Sequence, residues 1–350
     1  MIIMDLLKSI LNKILNFKKL KKKTKDSVYL AVFAFFFLLW WEIFVPAELI
    51  PRTAEPFLVK KGQSDSQIAK NLEEQGIIRS SYFFRIYVTV FGMHANLRAG
   101  KYSLSGSMSL YKIAKRIVSG DVIKEKMTFI EGWDAKDIAR YLAQKQLYSK
   151  EKFLNSVSKD YTEEFTFLSD KPKELSVEGY LFPDTYEISS DESADDVVKN
   201  MLANFDKKVT PDIRQQIAEQ KKSVFEIITM ASIIEKEVRN MDDKKIISGI
   251  LWKRIRVGMP LQVDSTINYI TRKDDPGVAI KDTKVDSPYN TYKYKGLPLG
   301  PISNPGLDSI MAAIYPKETS YWFYLSASSG KTIFSETLEQ HNIAAVKYLN

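Results

Sequence analysis

The sequence predicts an α+β protein: one apolar N-terminal helix, then small βα modules, then a mixed helix–sheet domain. Three observations point there. A lysine-rich start runs into an apolar stretch. A strand–turn–helix pattern then recurs 70 residues further on. The remainder alternates long helical patterns with aromatic, proline-rich loops.

The chain has 350 residues, of which 45% are hydrophobic and 27% charged. These are ordinary values for a folded protein and exclude wholesale disorder. Cysteine is absent, which excludes disulfides, thiolate metal sites and cysteine nucleophiles. The two histidines, His94 and His341, are far apart, so neither a Ser-His-Asp triad nor a histidine metal centre is expected. Carboxylates and hydroxyls must carry any chemistry. The net charge is +8, yet residues 1–27 hold eight lysines and two acids. The rest is nearly neutral, which argues against nucleic acid as a partner.

The apolar stretch, VYLAVFAFFFLLWWEIFV, covers Val28–Val45 and is close to the shortest length that spans a bilayer. Glu42 is its only charge, near the distal end, and Trp40 and Trp41 sit where an interfacial belt would be. The expectation is a cytoplasmic basic tail at 1–27, a single-pass anchor at 28–46 and everything beyond it outside the plasma (inner) membrane. A cleaved signal peptide fits less well, because Pro46-Ala47-Glu48 is a poor small-x-small site. The amphipathic first segment either lies on the inner membrane face or is a solvated tail that sets topology.

The repeat pairs FLVKKGQSDSQIAKNLEEQGIIRSSYFF, from Phe57, with MTFIEGWDAKDIARYLAQKQLYSKEKFL, from Met127. An ungapped shift of 70 aligns Gly62 with Gly132, Ile68 with Ile138, Ala69 with Ala139, Leu72 with Leu142 and Phe83 with Phe153. Each unit is a strand, a glycine turn and a helix, followed by a second helix start. Ser64 or Asp65 caps the first helix and Asp134 the second. A related fragment, MSLYKIAKRIVSGD, follows the short strand AGKYSL. These units resemble LysM-type modules, which bind N-acetyl sugars of cell walls. Ile-Ala-x-x-Leu is also what any short helix packed on a sheet needs, so scaffolding is the simpler reading.

The stretch SVFEIITMASIIEKEVRN, Ser223–Asn240, begins with an S-x-x-E capping box, with Asn240 as its stop. On a wheel of about 100° per residue, Val224, Ile227, Ile228, Ala231 and Val238 share one stripe. Glu235 falls inside that stripe, while Glu226 and Glu237 fall opposite. Met230 and Ile233 also lie opposite, which predicts a helix covered on both sides. A carboxylate facing a core must be paired or change its proton affinity. Two readings follow: a salt bridge with Lys253, Arg254 or Arg256 on the next helix, or a general acid. Three loop-like clusters bear on the choice: VEGYLFPDTYEI, MPLQVDSTINY and SPYNTYKYKGLPLGPISNPG. They mix rings with amides, hydroxyls and carboxylates, as sugar clefts do.

Together EGYLFPDTY, ASIIEKE, LQVDSTINY and SPYNTYKYKGLPLGPISNPG, in that order, resemble the endolytic murein transglycosylases, the YceG-like family. The resemblance covers about residues 55–350 and includes the anchor. It implies LysM-like modules at 55–168 and a catalytic domain at 169–350. It assigns catalysis to Glu235, the glutamate the wheel also singles out. It implies cleavage of the β-1,4 bond between N-acetylmuramic acid and N-acetylglucosamine in nascent peptidoglycan, leaving 1,6-anhydro ends and ending strand elongation. Its partners are glycan strands, the membrane and peptidoglycan synthases, and the resemblance implies no metal or organic cofactor. Glu178, Gln262, Asp264, Tyr289, Asn290, Tyr292 and Asn304 are expected to line the cleft. Two rivals stay open. One is a two-carboxylate hydrolase using Asp264 or Glu178; the other is a wall-binding adaptor without activity.

Overall fold

The computed structural model describes residues 22–50, 53–272, 278–327 and 330–349. The chain divides into two compact units. One runs up to Glu125 and takes in Glu187–Asp191; the other holds Lys126–Tyr186 and Glu192–Asn350. The division falls between the two repeats. The reason is local: the turn of the second repeat is bonded into the second unit, as set out below.

In the first unit, α1 (Lys22–Phe44) leads to a small module. Tyr29, Leu30, Phe33 and Phe35 of α1 are exposed. Among the described residues, no helix is long and apolar enough to cross a membrane. The described side chains of α1 run unbroken only from Tyr29, and the basic segment 1–21 lies outside the described residues. The far end of α1 is tied down. Arg79 donates to the carbonyls of Val45, at 3.1 Å, and Pro46, and its guanidinium lies over the Trp41 ring.

Strands β1 (Glu55–Val59) and β2 (Gly100–Leu104) pair antiparallel, with Phe57 opposite Tyr102 and both rings buried. Helices α2 (Asp65–Glu74), α3 (Ser81–Val90) and α4 (Leu110–Ser119) close over this ribbon. α2 opens with a reciprocal Ser64–Gln67 capping box and buries Ile68, Ala69 and Leu72. α4 is capped by Ser109 and ends at Gly120 in the left-handed region.

The second unit repeats the plan with β3 (Lys124–Thr128), α5 (Ala135–Gln144) and α6 (Lys150–Val157). Asp134 and Asp137 form the capping box, and Ile138, Ala139 and Leu142 are buried. Gly62 and Gly132 hold matching turns at φ +84° and +81°, which a side chain rarely adopts. The correspondence then slips by one residue. Four residues separate Gln75 from the Ser80 cap, but three separate Lys145 from the Ser149 cap. The partner of Phe153 is therefore Phe84, which is fully buried, and not Phe83.

Strand β4 (Thr185–Ser189) pairs with β3. Helices α7 (Ala194–Lys208) and α8 (Pro211–Glu219) lead to α9 (Val224–Glu237), which buries every residue from Ile227 to Ile234. That is the two-sided cover the wheel predicts. Around it lie α10 (Met241–Arg256), α11 (Asp264–Thr271), α12 (Leu307–Ile314), the hairpin of β5 (Phe323–Ser326) and β6 (Thr332–Ser335), and α13 (Leu338–Leu349). The fold is α+β, with sheet confined to two-stranded ribbons among the described residues.

Candidate active site

The Ser223–Glu226 capping box fixes where α9 starts and hence where its last turn points. α9 stops at Glu237. Asn240 does not end it but opens α10, accepting from the backbone N–H groups of Asp242 and Asp243. The short connection makes an antiparallel helix pair. A residue near the end of α9 therefore meets one near the start of α10.

Glu235 meets Lys244. Its Oε1 lies 3.2 Å from Lys244 Nζ, and the two side chains are 8% and 3% exposed. Lys253, Arg254 and Arg256, the partners expected from sequence, begin some nine residues further along α10, roughly 14 Å at 1.5 Å per residue. Lys253 donates instead to the Thr319 carbonyl, and Arg254 to those of Leu261 and Trp322. Glu235 Oε2 accepts from the Gly306 backbone N–H at 2.9 Å and from Ser309 Oγ at 2.8 Å. Gly306 is the N-cap of α12, so the carboxylate also sits at the positive end of that helix. Three donors thus converge on one buried carboxylate. Two of them meet Oε2 and one meets Oε1.

The glycine turn of the second repeat closes over the same place. Gly132 donates to the Asn304 carbonyl and accepts from Lys236 Nζ. A Cβ at Gly132 would come within 3.5 Å of Glu235 Cγ. Glu131, beside it, is solvent-exposed. Partial desolvation, and after it the charge of Glu235, raises its proton affinity above the ordinary carboxylate range. Neither Glu131 nor Lys244 stands out in the patterning. The one available signal for Glu131 is that the first repeat carries Lys61 at the matching position.

The residues expected in a cleft fall into three groups. Glu178 and Asn304 are buried and bonded to each other at 2.8 Å. Both Glu178 oxygens accept from the Ala135 N–H at the start of α5. Asn304 Oδ1 accepts from the N–H groups of Gly179 and Leu181, and its Nδ2 also donates to the Trp133 carbonyl. Their polar atoms are thus taken up inside the protein. Asn290 is likewise buried, donating to the carbonyls of Thr283 and Val285 and accepting from the N–H groups of Tyr292 and Lys293. The third group is accessible. Gln262 is exposed, Tyr292 donates to Asp264 Oδ1, and half-buried Tyr289 packs its ring on Tyr269, 5.0 Å between centroids.

Asp264 and Tyr292 gather on the Glu237 side of α9. Glu237 is no freely solvated outward glutamate. Burial pushes its pKa up to about 7, and Tyr324 donates to it at 3.2 Å. The wheel sets Glu237 opposite Glu235, yet both are half-buried and exposed Lys236 lies between them. Burial likewise pushes Glu178 up to about 8, with the charge of Asp134 adding to the effect.

Folding thus raises the proton affinity of Glu178 and Glu237. Their contribution to stability is full below the ordinary carboxylate range. It is lost as pH rises through about 7 for Glu237 and about 8 for Glu178. Glu237→Gln, which keeps the shape without the charge, should flatten the fall in melting temperature between pH 5 and pH 8. Scans at the two pH values check this; an unchanged slope would remove Glu237 from the account.

A buried carboxylate paired with an ammonium at a helix start is one arrangement that acid–base chemistry can use. Residues 57–347 match the model of the YceG-like family, and the chain belongs to that family. It is 34% identical over 326 residues to the endolytic murein transglycosylase of Bacillus subtilis (strain 168), covering 90% of each chain. It is 28% identical over 320 residues to the one from Streptococcus pneumoniae serotype 2, covering 83% of this chain and 58% of that relative. Among solved structures, a yceG-like protein from Listeria monocytogenes matches with a TM-score of 0.58 and 33% identity, covering 83% of this chain and 100% of that one.

Proposed function

We propose that this chain is a peptidoglycan lytic transglycosylase, anchored in the plasma membrane, that cuts nascent glycan strands internally. The observation that carries the reading is the placement of Glu235, in a family whose relatives bear the name endolytic murein transglycosylase. Glu235, as the acid, protonates the oxygen of the β-1,4 bond between N-acetylmuramic acid and N-acetylglucosamine. The C1–O bond breaks and the leaving sugar departs with that proton. The Glu235 carboxylate then takes the proton of the muramyl 6-hydroxyl, whose oxygen bonds to C1. The product is a 1,6-anhydro end. No water is consumed, so one carboxylate serves both transfers. Lys244, Gly306 and Ser309 hold it in place.

The reading includes an N-in, C-out anchor over residues 28–46, supported by the lysine excess before it. The βα modules serve as scaffold, and cleavage ends elongation by nearby synthases. A reporter fused after Asn350 should be active only outside the plasma membrane; activity of a cytoplasm-only reporter there would refute the topology. Mass spectrometry of products made by the full chain in isotope-labelled water tests the chemistry. Anhydro ends without label support the reading. Labelled, hydrolysed ends would make the protein a hydrolase, and binding without any product an adaptor.

A further inference from the structure

We propose that Glu131 is a second active-site carboxylate, which stabilises the positive charge developing at the anomeric carbon while Glu235 carries the proton transfers. The proposal rests on the transglycosylase reading above.

Three observations of geometry carry it. The first is proximity. Glu131 precedes Gly132, whose turn lies against Glu235 Cγ. A Cβ at residue 306 would overlap the Glu131 carboxyl as it is placed, so that carboxyl lies directly against Gly306. That same Gly306 donates its N–H to Glu235 Oε2 at 2.9 Å. One residue therefore separates the two carboxyl groups. The second is access. Glu131 is exposed, whereas the Glu235 side chain is 8% exposed. Glu131 is therefore the more solvent-accessible of the two carboxylates.

The third is that Glu131 is not taken up elsewhere. Among the described residues, no hydrogen bond or ion pair engages its carboxyl. The charged groups around it are Glu235 and Lys236 on α9, Lys244 on α10 and Asp308 on α12. Lys244 is bonded to Glu235, and Lys236 to the Gly132 carbonyl. Lys244 acts on both carboxylates, yet two like charges set close together still disfavour the ionised form of Glu131. Such arrangements concentrate where a reaction uses them.

The chemistry follows from the bond order. When Glu235 gives its proton to the leaving oxygen and the C1–O bond breaks, positive charge spreads over C1 and the ring oxygen. The ionised Glu131 carboxylate faces that charge. The 6-oxygen then bonds to C1, its proton passes to Glu235, and the charge is gone. Glu131 forms no bond and exchanges no proton. It must be ionised to act, so kcat should carry an acid limb set by Glu131. That limb should lie above the ordinary carboxylate range, because partial desolvation and Glu235 raise its proton affinity.

The test compares three full-length variants on purified peptidoglycan, following anhydro product against pH and substrate concentration. Glu131→Gln is expected to lower kcat about 10²–10³-fold, the range for removing one preorganised electrostatic group. KM should change less than about threefold, and the acid limb should disappear. Glu131→Asp, which keeps the charge, should recover a substantial part of kcat and retain the limb. An Asp variant as slow as the Gln variant and without the limb would make the role one of packing and overturn the proposal. So would a Gln variant within threefold of wild type while Glu235→Gln is inactive; the transglycosylase reading would then stand without this residue. Activity remaining in Glu235→Gln would instead bring down the reading itself.

Discussion

Glu235→Gln is expected to lower anhydro-product formation by about 10²–10⁴-fold or more, the range for losing a general acid–base group. Glutamine keeps the shape and one acceptor oxygen but has no acid proton to give. The structure adds a second consequence. Lys244 is 3% exposed and pairs with Glu235 at 3.2 Å, so the substitution leaves a buried ammonium without its counter-ion. Removing one member of a buried pair costs about 3–5 kcal/mol, less where the amide oxygen still accepts from Lys244. The single variant should therefore melt lower than wild type, and its rate must be read well below its melting temperature. Adding Lys244→Met to Glu235→Gln removes the orphaned charge and should restore much of the stability. It should restore none of the activity. Recovery of product formation in the double variant would show that the loss came from unfolding, and the assignment of Glu235 would fail.

The fold was largely legible where local rules decide. The Ser64, Asp134 and Ser223 caps stand where the capping patterns place them, and Gly62 and Gly132 adopt the turns their spacing predicts. The repeat slipped by one residue after Leu147 because a loop can lose a residue without disturbing either helix it joins. The division between units was not legible. It depends on Gly132, Trp133 and Ala135 bonding to residues far along the chain, and pairings of high sequence separation leave no local pattern. The site was half legible. A wheel finds Glu235 because a carboxylate interrupts an apolar stripe. It cannot find Lys244, since a lysine near the start of a helix looks like any solvated lysine. Glu131 lies in a turn, where no periodicity exists to be broken. Asn290 and Asn304 carry no local signal of their role, because an amide that reads hydroxyls and an amide that ties loops together are the same side chain.

Asn304 carries the second large effect. Its side chain is 1% exposed and makes four hydrogen bonds, accepting from the N–H groups of Gly179 and Leu181 and donating to Trp133 and Glu178. Asn304→Ala leaves the two N–H groups buried without acceptors and withdraws a donor from Glu178. Each buried polar group left unpaired costs about 1–3 kcal/mol, so the variant should lose about 3–6 kcal/mol, a large share of what a domain has. Asn304→Asp separates the contributions. It keeps both acceptor bonds but turns a donor into a second acid facing Glu178, whose pKa is already about 8. Its deficit should be modest at pH 5, where the pair shares protons, and should grow towards pH 8 as both carboxyls ionise. Urea denaturation of the two variants at those pH values measures this. An Asn304→Ala variant within about 1 kcal/mol of wild type would mean that water replaces the amide. Asn304 would then be open to solvent, and its place as a glycan ligand would have to be taken up again.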